Sequence, residues 1–134
     1  MSAAPLVFLV DDDKDFLEME KAILSAGGLR TRCFTDAREA LSALAASAAE
    51  RPALLVTDLM MTSLDAGFTL ARAVRSDPRF SSIPLVIVSA VASQKGFDFR
   101  PRSAEDLAAM NADAFFDKPV PPEPFLARVK ELAG

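Results

Sequence analysis

The sequence predicts an α/β domain, a doubly wound five-stranded parallel sheet with five helices. Three observations predict it. Short apolar runs at residues 6–10, 53–57, 85–88 and 114–116 have the length and continuity of strands buried on both faces. Segments with the 3.6-residue apolar period of helices alternate with them, as crossover connections between parallel strands require. Each run also stops at polar residues, at Asp11, Asp58, Ser89 and Asp117-Lys118. In an open sheet of this kind ligands bind at the carboxyl ends of the strands, so these side chains are delivered to a functional rim.

Taken in order, residues 6–10 form the first strand and run into Asp11-Asp12-Asp13, three acids whose mutual repulsion local stability does not explain. Asp13 is expected to be solvated. Residues 15–26 form a helix with Phe16, Met19, Ile23 and Leu24 as its apolar stripe, ended by Gly27-Gly28. Residues 29–34 alternate apolar with basic or hydroxyl residues, the pattern of a more exposed edge strand. Asp36 and Glu39 open an alanine-rich helix through residue 49, and Arg51-Pro52 separates it from the central strand at 53–58.

A loop at 59–66 leads to a helix at 67–76, whose Phe68, Leu70, Ala71 and Val74 can face the sheet before Asp77-Pro78 stops it. Residues 84–90 form the fourth strand. The chain is irregular over 92–102, and Ser103 with Asp106 matches a capping box for a short fourth helix. Residues 114–116 form the fifth strand, and 121–132 a final helix with Phe125, Leu126, Val129 and Leu132 on one side. The strand order expected of such a chain is flavodoxin-like, 2-1-3-4-5, with the ends of strands one and three adjacent at the switch point.

Composition limits the possible chemistry. At 134 residues the chain is expected to be one domain, 1–134, with no output domain, and at that size it buries roughly two-thirds of its unfolded surface. No apolar stretch approaches the ~20 residues of a membrane span, and the amino terminus lacks the basic region of a signal peptide. A cytoplasmic location without membrane contact is the expectation. Cys33 is the single cysteine, which fits a reducing compartment and suggests a small core residue. The net charge of −4 argues against direct nucleic-acid binding through a basic surface. With no histidine in the chain, chemistry must come from carboxylates, hydroxyls and amines.

At the rim the sheet brings together Asp11 and Asp12 from strand one, Asp58 from strand three, Ser89 from strand four and Lys118 from strand five. Two carboxylates about 5 Å apart repel by roughly 3 kcal/mol at an effective dielectric near 20, so three of them call for a cation. All-oxygen ligation suits magnesium, which keeps waters and also binds phosphate oxygens. That combination describes phosphoryl transfer, with Asp58 as in-line nucleophile and Ser89 and Lys118 holding the remaining oxygens.

On these residues the chain resembles the receiver domains of two-component response regulators over essentially its whole length. The matching pieces are Phe8-Leu9-Val10-Asp11-Asp12-Asp13, Leu55-Val56-Thr57-Asp58-Leu59-Met60-Met61, Asp65 with Gly67-Phe68, Val88-Ser89-Ala90 and Asp117-Lys118-Pro119-Val120. The resemblance implies that Asp58 accepts a phosphoryl group from a phosphohistidine on a histidine kinase or histidine phosphotransfer protein. It implies magnesium held by Asp11, Asp12, Asp58 and the Met60 backbone carbonyl, with Ser89 and Lys118 contacting the phosphoryl group. Phe115 falls where the family's switch aromatic lies, and the Lys118-Pro119 peptide is cis in the family. The output implied is a population shift, read by an unknown downstream protein through protein contact.

The chain departs from the family pattern in two places. Thr62-Ser63-Leu64-Asp65-Ala66-Gly67 carries one extra residue, and residues 92–102 form a longer segment with Phe97, Phe99, Arg100 and Arg102. This longer segment is either a partner-specific contact or a cover for the core. Other readings of the same rim are a pseudo-receiver that binds partners without phosphate, a haloacid-dehalogenase-type phosphohydrolase and a flavodoxin. The phosphohydrolase commonly has a second acid two residues after the nucleophile, where this chain has Met60, and against the flavodoxin this chain has no Trp or Tyr to stack on a flavin.

Overall fold

Period-two alternation in the buried strands decides how the layers assemble. A computed structural model describes residues 4–46, 51–58, 66–89, 105, 112–117 and 120–133. Its strands are β1 (Leu6–Val10), β2 (Arg30–Phe34), β3 (Leu54–Asp58), β4 (Leu85–Ser89) and β5 (Ala114–Asp117). All pair in parallel, in the order β2-β1-β3-β4-β5, as the sequence predicts. The helices are α1 (Lys14–Ala26), α2 (Ala37–Ala45), α3 (Ala66–Ser76) and α4 (Pro122–Ala133). Four helices, rather than the five expected, are therefore present among the described residues. The helix expected after Ser103 lies outside them, apart from Glu105, which is helical. The 92–102 segment also lies outside the described residues.

Successive strand residues point to opposite faces of the sheet. Phe8, Val10, Leu55, Leu85 and Ile87 form one core with Ala40 and Leu44 of α2 and Leu70, Ala71 and Val74 of α3. Val7, Leu9, Leu54, Val56, Val86 and Val88 form the other with Leu17 and Leu24 of α1 and Phe125 and Val129 of α4. The first core includes a tilted pair of rings, Phe8 and Phe34, with centroids 4.9 Å apart. The second includes an edge-on pair, Phe116 and Phe125, at 5.5 Å.

The buried stripe of α1 is Leu17, Glu20 and Leu24, with Phe16 and Ile23 packed at its flanks. Met19, expected on that stripe, is 36% exposed. The spacing of three and four residues permits either row, and the packing against the sheet selects the one that contains Glu20. Asp13 is not merely solvated. Its carboxylate caps α1, accepting from the backbone N–H groups of Asp15 at 3.0 Å and Phe16 at 3.2 Å. At the other end Gly28 takes φ +86°, a left-handed conformation that favours glycine. Gly27 lies so near α4 that a Cβ there would stand 2.5 Å from Leu126 Cδ1.

Cys33 is exposed rather than core, because β2 is the sheet edge and one of its sides meets solvent. Partial burial of the thiol beside α1 nevertheless pushes its pKa up, with Lys21 opposing and Glu18 and Glu20 reinforcing the shift. Thiolate is the reactive form. Alkylation by iodoacetamide, followed by mass spectrometry, is therefore expected to be slower than for a model peptide thiol at pH 8 and to reach half its limiting rate only at a pH above that peptide's.

The amino-terminal ends of β4 and β5 are held by a polar bracket. Asp113 Oδ2 accepts from Arg75 Nη2 at 2.6 Å and from the Leu85 backbone N–H at 2.8 Å. Arg75 Nη1 also donates to the carbonyls of Ser81 at 3.0 Å and Ile83 at 2.7 Å. Asp113→Ala removes both acceptor contacts and leaves the Leu85 N–H without this partner. It is expected to lower unfolding stability by about 2 kcal/mol, read as a lower urea midpoint at unchanged slope.

Candidate functional site: an acidic cluster at the switch point

Asp11 continues the row of Val7 and Leu9, and Asp58 continues the row of Leu54 and Val56, so both carboxylates emerge on the same side of the sheet. The ladder beyond β1 is still regular at that point, since the Asp11 N–H donates to the Phe34 carbonyl at 3.0 Å. Asp11 is 1% exposed and Asp58 7%, whereas Asp12 is exposed. One carboxylate oxygen from each of Asp11, Asp12 and Asp58 lies within 4.8 Å of the other two. The three acids expected at the rim thus converge, and their donor set is the all-oxygen one that fits a hard divalent cation.

Asp11 Oδ1 also accepts from the Asp13 N–H at 2.9 Å, which fixes its carboxylate while Asp13 caps α1. A single turn after β1 therefore orients two of its three acids by backbone hydrogen bonds. Aspartate directly before an apolar-periodic helix is the sequence signal for the cap. Thr57, also buried, donates from Oγ1 to the Asp58 carbonyl at 3.0 Å and restrains the backbone that carries the acid. That side-chain role for Thr57 had no signal in the sequence.

The remaining predicted site residues are placed in part. β4 pairs Val88 with Asp58, so the backbone of Ser89 stands one residue further toward the rim; nothing of its side chain is described. On β5, Asp117 pairs with Ser89 and is exposed. Lys118, Pro119 and Met60 lie outside the described residues, as does the loop at 59–65. Phe115 is half-buried, opposite Ile87 in the ladder and packed against the α2–α3 side core.

A protein-family model, the response regulator receiver domain, matches residues 7–130. The chain belongs to this family. Among relatives of this receiver domain, the transcriptional regulatory protein GltR of Pseudomonas aeruginosa is 30% identical over 126 residues, which are 94% of this chain and 48% of that protein. Response regulator PleD of Caulobacter vibrioides is 32% identical over 132 residues, 98% of this chain and 26% of that protein. The receiver domain thus spans about half the length, or less, of these two relatives. Among solved structures, a response regulator receiver protein from Pseudomonas putida superimposes with a TM-score of 0.78 at 27% identity, covering 98% of this chain and 99% of the other. The signal receiver domain of a signal transduction histidine kinase from Syntrophus aciditrophicus gives 0.78 at 27% identity, covering 97% and 90%. No helix among the described residues of the receiver domain is long and apolar enough to cross a membrane.

Proposed function

We propose that this receiver domain takes a phosphoryl group from a phosphohistidine of a histidine kinase or phosphotransfer protein onto Asp58, and signals by protein contact. The observation that carries this reading is the placement of Asp58, almost buried at the end of the central strand, within 4.8 Å of ligand oxygens from Asp11 and Asp12. The proposed nucleophile is a carboxylate oxygen of Asp58. As it forms its bond to phosphorus, the phosphorus–nitrogen bond of the donor breaks and the bonding pair returns to the imidazole nitrogen.

Magnesium, when bound by Asp11, Asp12, Asp58 and the Met60 carbonyl, supplies positive charge against the phosphoryl oxygens. The Ser89 hydroxyl donates a hydrogen bond to one of these oxygens, and the Lys118 ammonium pairs with another. The regulatory step follows from the added charge. Drawing Ser89 and Lys118 toward the phosphoryl group biases the ends of β4 and β5, and half-buried Phe115 changes its packing beside Ile87. The surface so altered is read by a protein partner, in keeping with the net charge of −4, which does not suit direct binding to nucleic acid.

The test is intact mass after incubation with acetyl phosphate, with and without magnesium. One phosphate adduct that requires magnesium and disappears with hydroxylamine is the expected result. If magnesium binds but no adduct forms from acetyl phosphate or from a phosphorylated histidine protein, the domain works without phosphate and the proposal is wrong.

A further inference from the structure

We propose that Thr57 is a positioning residue for phosphoryl transfer, a role that rests on Asp58 being the acceptor: its buried hydroxyl holds the Asp58 carbonyl and thereby aims the Asp58 carboxylate. Thr57 Oγ1 donates to the Asp58 carbonyl at 3.0 Å, and Thr57 is fully buried. β3 ends at Asp58, so this carbonyl lies in the last peptide plane of the strand. The dihedral that turns this plane is ψ of Asp58 itself, and the rotamers open to a side chain depend on its own φ and ψ. A donor that fixes the plane therefore narrows the directions in which the Asp58 carboxylate can point.

Packing does not account for the hydroxyl. The strand registers set Phe34, Val10, Thr57, Ile87 and Phe115 in one row across the sheet. Phe34, Val10 and Ile87 belong to the α2–α3 side core, and Phe115 packs against it. Thr57 is the polar member at the centre of this row. Valine would serve the packing as well, since it has the same shape, favours strands and brings no hydroxyl to desolvate. A hydroxyl in a fully buried place needs a hydrogen-bond partner, and for Thr57 that partner is the backbone of the acceptor residue.

The end of β3 is thus governed from both faces of the sheet. On one face Asp58 meets Asp11 and Asp12, whose charge bears on a cation. On the other, Thr57 carries no charge and bears on direction alone. Its hydroxyl affects the step in which the carboxylate oxygen reaches phosphorus, and not the concentration of phosphodonor that half-saturates the domain. Two substitutions separate the bond from the packing. Valine keeps the shape and loses the donor, whereas serine keeps the donor and loses a methyl group.

The experiment follows adduct formation by intact mass in the full native chain, Thr57→Val and Thr57→Ser, varying acetyl phosphate at saturating magnesium, and records each thermal unfolding midpoint. Thr57→Val is expected to have a maximal rate about tenfold lower, part of the roughly hundredfold that a 1 Å misplacement can cause, at an unchanged half-saturating acetyl phosphate concentration. Thr57→Ser is expected to stay within about twofold of the native rate although the missing methyl lowers its midpoint, so that rate follows the hydroxyl and not stability. In carbon-13-labelled chains the Asp58 carbonyl resonance is expected to move upfield in Thr57→Val and to keep its native position in Thr57→Ser. Should Thr57→Val not fold, Thr57→Ala set against Thr57→Ser makes the same comparison, since the two differ only in the hydroxyl. Thr57→Val as fast as the native chain, Thr57→Ser as slow as Thr57→Val, or a carbonyl resonance common to all three would overturn the role of Thr57 and leave Asp58 as the acceptor. A native chain that forms no adduct would overturn both.

Discussion

Asp58→Asn is expected to abolish the magnesium-dependent phosphate adduct while the fold is retained. The amide matches the carboxylate in shape, so the tightly packed end of β3 need not move, but the amide oxygen is not a competent nucleophile toward phosphorus. The experiment also discriminates among the acids. Asp11 and Asp12 offer oxygens within 4.8 Å of Asp58, so proximity by itself leaves three candidate acceptors. Asp11 is 1% exposed and already accepts from the Asp13 N–H at 2.9 Å, while Asp12 is exposed and sits at the start of a turn. Asp58 alone lies at the end of the central strand, on the axis between the paired ends of β1 and β4. An adduct that persists in Asp58→Asn, located by peptide mapping on Asp11 or Asp12, would reassign the acceptor and refute the in-line geometry.

Magnesium is expected to stabilise the native chain against unfolding, and Asp11→Asn to erase that effect. A ligand that binds only the folded state contributes about 2.7 kcal/mol at a concentration one hundred times its dissociation constant. The source of the effect is the convergence of three acids. At 4.8 Å two unit charges repel by about 3 kcal/mol at an effective dielectric near 20, and partial exposure of Asp12 reduces this through screening. Asp11→Asn keeps an oxygen to accept from the Asp13 N–H, so the cap of α1 is preserved and the loss is one of charge. The variant is therefore expected to be more stable than the native chain without metal, by about 1 kcal/mol, and unresponsive to magnesium. Thermal unfolding with and without magnesium, with calcium as a size control, reads both effects. A native midpoint that does not move with magnesium, or a variant that still responds, would separate the acidic cluster from metal binding.

The two variants probe different links of one chain of causes. Asp58 is the proposed phosphoryl acceptor, and Asp11 supplies part of the negative charge that a cation at the rim would offset. Were the adduct lost in both, the acceptor and its charge environment would act as one unit. Were Asp11→Asn to lose metal binding and keep the adduct, the transfer would depend on position more than on the cation.

Much of this architecture follows from local rules that the sequence carries. Strand order and parallel pairing follow from short apolar runs alternating with helical segments, because right-handed crossovers leave few ways to cover both faces of a sheet. The rim acids were legible for the same reason, since Asp11 and Asp58 each extend a period-two row whose direction is set by the backbone. Glycine at position 28 announced the end of α1 because few other residues accept its positive φ.

Other features were decided only when distant segments met. The choice of Glu20 over Met19 on the inner face of α1, the exposure of Cys33 and the bracket of Arg75 with Asp113 across 38 residues depend on register and packing between elements. So does the approach of three acids to within 4.8 Å. Periodicity tells each segment which faces it has. Only the tertiary fold, by burying one face and leaving another at an edge, determines what that face touches, and the charges and hydrogen bonds of the site are set by those contacts.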